Sequence, residues 1–521
     1  MRGIDMERGL FGDWLLERGP IVRLCAVVLV YLGVGAPASA DAEPLAIVGG
    51  TIIDGNGGEP IRNGVIVING TRISAVGAEG ISIPQSARRI DADGKYIIPG
   101  LMDASVHLVY DISPEYMLRF EDQFEDIIKE GAQIALKNGI TTIFETGGML
   151  EQLKSVRDQI NRGEVVGSRL FVAGNIVGVG GPLSASYHPT PVEGLSERTI
   201  DRINAMREQG VGQELIYMTP QEIRARIREY IAKGIDFLKI AVSGQGVHGY
   251  GYLSFSEEGL RVMVEEARAA GLTVQTHTMT AGALRIAASG NYDLAQHCGT
   301  AYRQLPRDAK TLQLIPDELI QLVVDRKLSC TLHAYTTREV RRRIGDIEGT
   351  VDINSPLSVP TGDNRERIAN TLVVHQNGKS LVDAGATILL STDAGVPWID
   401  SPVIHRTSPC WVTPDECLHF LGTGHMAWFK AMHEMGMSPM RMLQSATRNI
   451  AAAYDKLEDL GTIEAGKLAD LVILDADPLV DFNNYRRIRL VLMEGKVIAH
   501  ESLPVDKVLT PLNEPHLVRL Q

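Results

Sequence analysis

The sequence predicts an α/β protein: a (β/α)8, TIM-like barrel carrying a small β-sandwich domain formed from both ends of the mature chain. Three observations carry that prediction. The middle of the chain alternates β-branched runs with amphipathic helical runs, eight candidate strands in succession. Both ends instead hold short β-like runs punctuated by Gly and Asn. No phosphate-type Gly loop follows a first strand, as an open doubly wound sheet would require. With 521 residues, 44% of them apolar, the chain has room for one large domain and a smaller one. Its 52 glycines suit many tight strand-to-helix turns.

Taken in order, residues 1–40 read as a signal peptide. Arg23 precedes "LCAVVLVYLGVG", an uncharged run of 12 residues, and "APASA" then ends at Ala40 in an A-x-A cleavage pattern. Spanning a bilayer takes ~20 apolar residues, so no membrane span is expected in the mature protein. The expected location is the periplasm or the exterior. Residues 41–98, with "LAIVGGTIID", "GVIVINGTRISAVG" and "GKYIIPG", form the first part of the sandwich. Residues 456–521, with "GTIEAGKLADLVILD" and "IRLVLMEGKVI", form its second part and a tail. Between them, 99–455 is the barrel, with candidate strands "IIPGLMDASVHL", "ITTIFETGG", "SRLFVAGNIVG", "IDFLKIAVSG", "LTVQTHTM", "YDLAQHC", "LSCTLHAY" and "ATILLSTDAG". Helices lie between several of them. "SEEGLRVMVEEARAAG" shows the signals plainly: Ser256 as N-cap, Glu257 and Glu258 in the first turn, and Gly271 at the stop.

A net charge of −13 and a pI near 5.5 argue against a nucleic-acid partner. "RRR" at 341–343 sits beside Asp346 and Glu348 and reads as a solvated insertion. "MHEMGMSPMRML" has Met at helical spacing and reads as core. Five cysteines become four once Cys25 leaves with the signal. Cys410 and Cys417 are near neighbours in a loop-like region; a disulfide between them and free thiols both stay open.

Functional side chains of such a barrel come from the C-terminal ends of its strands. Those ends give His107, Lys239, His277, His297 and Asp393. In "PGLMDASVHLVY", Asp103, Ser105 and His107 alternate and so share one face of an extended strand. A lone histidine is more often a hydrogen-bonded core residue. Lys239 is different, because an ammonium ending an apolar strand is costly unless paired or modified. His333 and Tyr335 follow the seventh strand; Tyr187, His188, Gln245, His248 and Tyr250 lie in long loops that either line a lid or are ordinary polar loop residues.

These motifs, in this order, resemble the amidohydrolase superfamily, in particular the branch of imidazolonepropionase-like enzymes and Xaa-Pro dipeptidases. "PGLMDASVH" is similar to the family's "PGLIDxHxH", and "GIDFLKIAVSG", "VQTHT", "AQHC", "STDAG" and "SATRNIAAAYDKLEDLGTIEAGKLADLVILDADPL" follow in the family's sequence. The resemblance implies a small-molecule substrate and a divalent metal, zinc by its imidazole and oxygen ligands, one or two ions per chain. It implies that Lys239, an amine of pKa ~10.4, becomes N6-carboxylysine and bridges two cations. His277 and His297 would hold the outer ion, and His107 and Asp393 the inner one. Metal-bound water has a pKa lowered to ~7, and Asp393 would take the proton and return it to the leaving amine. Substrate-binding positions implied are His333, Tyr335 and His248. The reaction implied is hydrolysis of an amide, urea or cyclic amide C–N bond. A Xaa-Pro dipeptidase-like peptidase or esterase, and a metal-poor binding protein, are the alternatives. One departure stands out: Ser105 occupies the position of the family's first strand-one histidine. A hydroxyl is a poorer zinc ligand than imidazole, leaving open one ion, a loosely held second, or none. Relatives often assemble, so a homo-oligomer is possible, without a fixed symmetry.

Overall fold

The computed structural model describes residues 43–109, 114–184, 194–244, 253–300, 312, 314–346, 348–354, 365–396, 416–505 and 507–510. The expected signal peptide, Cys410, Tyr187, His188, Gln245, His248 and Tyr250 lie outside the described residues. No described helix is long and apolar enough to cross a membrane.

Strands from both ends of the described chain join in one mixed sheet. β1 (Leu45–Ile52), β2 (Ile61–Asn69), β3 (Arg72–Gly77), β4 (Arg88–Asp91) and β5 (Tyr96–Pro99) precede the central segment; β14 (Leu471–Leu474), β15 (Ile488–Met493) and β16 (Lys496–Ile498) follow it. Their order is β16-β15-β14-β5-β1-β2-β3, with β4 on β1. The seam is an antiparallel pairing of β5 with β14, from Tyr96 opposite Leu474 to Pro99 opposite Leu471. Alternation along the strands turns Ile47, Ile66, Ile68, Ile97, Leu471 and Ile473 into a shared apolar cluster. β1 changes partner from β4 to β5 at Gly50, where a Cβ would lie 2.8 Å from Ile97 Cδ1.

The central segment is α/β with parallel sheets. β6 (Leu101–Val106), β7 (Ile140–Glu145) and β8 (Arg169–Val172) form one. β9 (Leu238–Ala241), β10 (Val274–His277), β11 (Leu294–Gln296), β12 (Ser329–Thr331) and β13 (Ile388–Leu389) form the other. Parallel bridges connect Val177 with Ile240 and Val106 with Ala394. The strands are buried but for the half-buried Phe171 of β8, as parallel strands covered by helices are. Helices α1 (Pro114–Arg119), α2 (Phe124–Lys137), α3 (Leu150–Asn161), α4 (Glu197–Glu208), α5 (Pro220–Ile231) and α6 (Glu257–Ala269) lie between them. The Ser256 hydroxyl accepts from Gly259 N and so caps α6, as its sequence predicts.

Three expectations need correction or completion. The first predicted barrel strand is two strands, β5 in the mixed sheet and β6 in the parallel one. They part at Gly100, where a Cβ would lie 2.1 Å from Thr141 Oγ1. The "RRR" run is solvated in part, at the exposed Arg342, but it closes a helix, Thr337–Ile344, with Arg342 and Arg343 both bonded to Glu339 and Arg343 stacked 4.0 Å over the Tyr335 ring. Cys417 is disulfide-bonded, and Cys298 and Cys330 are free and buried. The methionine-rich stretch is core as expected, with Met432, Met435, Met437 and Met442 buried.

Inside the strands, Phe144 stacks on Tyr454 at 3.6 Å between ring centroids and on Phe171 at 4.9 Å. Above this aromatic plug the Tyr454 hydroxyl donates to Ala104 O (2.7 Å), and Gln296 Nε2 donates to Gln275 Oε1 (2.7 Å). This buried polar layer is the floor on which the functional groups stand. The mixed sheet is fastened to the parallel strands by a buried ion pair. Arg169 on β8 reaches Asp470 and also Glu494 at 2.7 Å, and Asp470 Oδ1 accepts from Glu494 N at 2.8 Å.

Candidate active site

Strand alternation brings Asp103, Ser105 and His107 to one side of β6 and its extension, as the sequence predicts. Asp103 is structural. Its Oδ1 accepts from Ser105 N and Thr392 N, both at 3.1 Å, and its Oδ2 from Thr392 Oγ1 at 2.5 Å. It therefore ties β6 to the segment carrying Asp393. Burial pushes its carboxyl up to about 7, against the Thr392 hydrogen bonds.

Asp393 is the centre of the cluster. Its Oδ1 takes a hydrogen bond from Ser105 Oγ at 3.1 Å and faces His107 Nε2 at 3.1 Å. Its Oδ2 lies 3.3 Å from His333 Nε2. Burial opposes its ionisation, but the charge and hydrogen bond of His107 and the hydrogen bond of His333 prevail and hold the carboxyl well below its usual range. Ser105 Oγ also meets Thr146 Oγ1 at 2.6 Å, and Lys239 Nζ donates to Thr146 Oγ1 at 3.1 Å. Lys239 is 1% exposed, and burial lowers its pKa to about 8, against the pull of Asp393 and Glu145. An amine so placed holds a neutral fraction near pH 8, the form that combines with CO2.

The imidazoles form a row. His277 and His297 ring centroids lie 4.8 Å apart, His297 and His333 4.2 Å, and His333 and His419 5.5 Å. His277 is lowered to about 3 by burial and by Lys239, and His297 is lowered well below its ordinary value by burial and by His333. Neutral imidazoles are the metal-binding form. Both ring nitrogens of His277 and Nδ1 of His297 are buried without a hydrogen-bond partner among the described residues. A divalent cation fits such orphaned donors. Near His107 the chemistry agrees. Its Nδ1 lies 3.1 Å from Gly147 O, which can only accept, and its Nε2 faces the Asp393 carboxylate, where a cation would take the place of the Nε2 proton.

All five strand-end residues therefore meet, and His333 joins them. Tyr335 does not. It packs beside Val340, Ile353 and Leu372 under Arg343, with no hydrogen bond to the site among the described residues. Sequence reading missed Thr146, which the strand-end rule would have found at the close of "ITTIFETGG". It also missed His419, which lies 26 residues beyond Asp393 with no local signal.

His419 Nδ1 is 3.4 Å from the Asp393 carbonyl, so it carries the proton and donates. Asp393 has φ +53°, a left-handed conformation costing about 1–3 kcal/mol for a side-chain-bearing residue, and His419 caps it. His419→Asn, whose amide stands where Nδ1 stands, is expected to keep kcat within a few-fold. His419→Gln and His419→Ala are expected to lose about tenfold; steady-state kinetics on the three decides.

Beneath Thr146, the Glu145 carboxyl is fully buried. Burial raises its pKa to about 8, against Arg207 and Lys239. A carboxyl raised on folding contributes stability that is fully present below its unfolded value of 4.5 and lost as pH rises through about 8. Denaturant midpoints should decline over that window, and Glu145→Gln should flatten the decline.

The amidohydrolase family model matches residues 96–498. The chain belongs to the amidohydrolase family. It is accordingly an enzyme, a hydrolase of carbon–nitrogen bonds, and the family generally works with a divalent metal. Ochratoxinase of Aspergillus niger is 24% identical over 497 residues, covering 89% of this chain and 86% of that one. Imidazolonepropionase of Haloarcula marismortui is 24% identical over 481 residues, 88% of this chain and 95% of that one. Among solved structures, molinate hydrolase superposes on this amidohydrolase with a TM-score of 0.80 at 34% identity, covering 91% of this chain and 98% of its own. Phenylurea hydrolase B gives 0.78 at 34% identity, covering 90% and 99%.

Proposed function

We propose that this amidohydrolase cleaves a small non-peptide amide, urea or cyclic amide at the mouth of a closed (β/α)8 barrel. The observation that carries the reading is the Asp393 carboxylate, held between Ser105 and His107 on one side and His333 on the other, beside imidazoles with orphaned nitrogens. The bridges Val106–Ala394 and Val177–Ile240 support closure of the two parallel sheets. The single sheet built from both chain ends supports a separate β-sandwich of 41–98 and 456–521 around a barrel of 99–455. The substrates in the names of the two 34%-identical neighbours, molinate and phenylurea, favour a non-peptide substrate over a dipeptide.

The residues that would hold a divalent cation, zinc by their chemistry, are His107, Lys239, His277, His297 and Asp393, with Lys239 as N6-carboxylysine. Such an ion, when bound, supplies Lewis acidity toward a carbonyl and acidifies water to a pKa of ~7. Asp393 does the proton work. Its carboxylate, set by Ser105, His107 and His333, accepts the proton of the attacking water and returns it to the leaving nitrogen. Ser105 stands where an imidazole would complete an inner ligand set, and its hydroxyl is engaged by Thr146 and Asp393. Ser105→His is expected to raise metal content toward two equivalents; elemental analysis reads it. Export to the periplasm or beyond follows from the pattern of residues 1–40, and the disulfide at Cys417 agrees with an oxidising compartment.

The test is turnover of phenylureas, N-acyl amino acids, Xaa-Pro dipeptides and esters, with and without added Zn²⁺. Metal-dependent hydrolysis of ureas or non-peptide amides supports the reading. Turnover of Xaa-Pro dipeptides alone replaces it with a peptidase. A fully metal-loaded protein inert on the whole panel counts against hydrolysis here.

A further inference from the structure

We infer that His333 is a protein ligand of the bound cation, completing with His297 and Asp393 a site on the β12 side of the cluster; the inference rests on the metal-dependent reading above. Three observations place the ion there. The candidate ligand atoms of His297, His333 and Asp393 all lie within 4.8 Å of one another. His333 Nε2 lies 3.3 Å from Asp393 Oδ2, so one cation can take both atoms as ligands in place of the proton they share without it. The other carboxylate oxygen, Oδ1, is engaged by Ser105 and His107, which leaves Oδ2, the oxygen facing His333, as the free ligand atom.

The backbone is arranged to the same end. His297 has φ +60°, and that left-handed turn sets its ring between His277 and His333, 4.8 Å and 4.2 Å away. Two imidazoles and one carboxylate are the donor set of a catalytic zinc site, which keeps a further position for water or substrate. Lys239 lies apart from this triad in its bonding, since its Nζ is directed to Thr146 on the β7 side. The ion with the strongest claim on this chain is thus centred on β11, β12 and the turn after β13. Lys239 and His107 govern the inner position that Ser105 weakens.

Cobalt substitution tests this without recourse to turnover. His333→Cys in the Co²⁺-loaded full chain is expected to show a thiolate-to-cobalt charge-transfer absorption that the wild type lacks, and His333→Ala to bind Co²⁺ at least about tenfold more weakly. Near-UV circular dichroism of the metal-free variants identifies any failure to fold, in which case His333→Gln takes their place in the titration and the same weakening is expected. The assignment is overturned if His333→Ala binds Co²⁺ with unchanged affinity and visible spectrum and His333→Cys shows no new band. A rise in KM alone would then make His333 a substrate contact. A wild-type protein that binds Co²⁺ as inferred but hydrolyses none of the substrate panel leaves the ligand assignment standing and defeats the catalytic reading. A wild type that takes up no Co²⁺ overturns both.

Discussion

Asp393→Asn lowers kcat/KM by about 10²–10⁴-fold, the largest loss expected of any single substitution at the site. The asparagine keeps the shape of the side chain. Its carbonyl oxygen can still accept from Ser105 Oγ, now at 3.1 Å from Oδ1, so the floor and the β6 edge stay in place. What goes is the negative charge that faces His107 and His333 and the oxygen that takes up a proton. Two losses are folded together, in metal retention and in proton transfer. Elemental analysis of the variant separates them: at saturating metal, the residual deficit in kcat belongs to the proton. A variant that retains wild-type kcat with its metal in place would remove Asp393 from the chemistry, and His333 or His419 would have to replace it.

The second large effect is on stability. Arg169→Met destabilises the protein by about 3–5 kcal/mol. Arg169 is a buried guanidinium of β8 that meets Asp470 and Glu494 on the mixed sheet, with side-chain exposures of 9% for Arg169 and 5% for Asp470. Removing the cation leaves Asp470 buried, with only the Glu494 amide on its Oδ1. The penalty is that of an uncompensated charge more than of a lost attraction. The double variant Arg169→Met/Asp470→Asn should therefore recover part of the loss, and denaturant midpoints of the wild type, the single and the double variant measure it. A single variant within 1 kcal/mol of wild type would mean that the two sheets are held by their apolar contacts alone.

Much of this was legible from the residues. The eight parallel strands, the cap at Ser256 and the shared face of Asp103, Ser105 and His107 all follow from periodicity and local chemistry. So does the meeting of five strand-end residues, since strand ends of such a protein open on one side. Other features were not legible, each for a physical reason. The break at Gly100 depends on the close approach of Thr141, forty-one positions on, which no local pattern encodes. His419 stands 26 positions beyond Asp393 with no local signal to join them. The arginine run was a different kind of miss: Glu339, three and four positions before Arg342 and Arg343, was there to be read as their partner on one helix face.

The antiparallel seam between β5 and β14 has a consequence for how the molecule is made. β5 acquires that neighbour only after some 370 intervening residues, so the last-synthesised part of the polypeptide finishes a sheet begun by the first. Until then β5 exposes a bare hydrogen-bonding edge, open to wrong partners. A nascent chain halted before Leu471, or a truncation there, is thus expected to associate with itself, and holding the whole chain unpaired until its C-terminal strands are available is the safer route to the native protein.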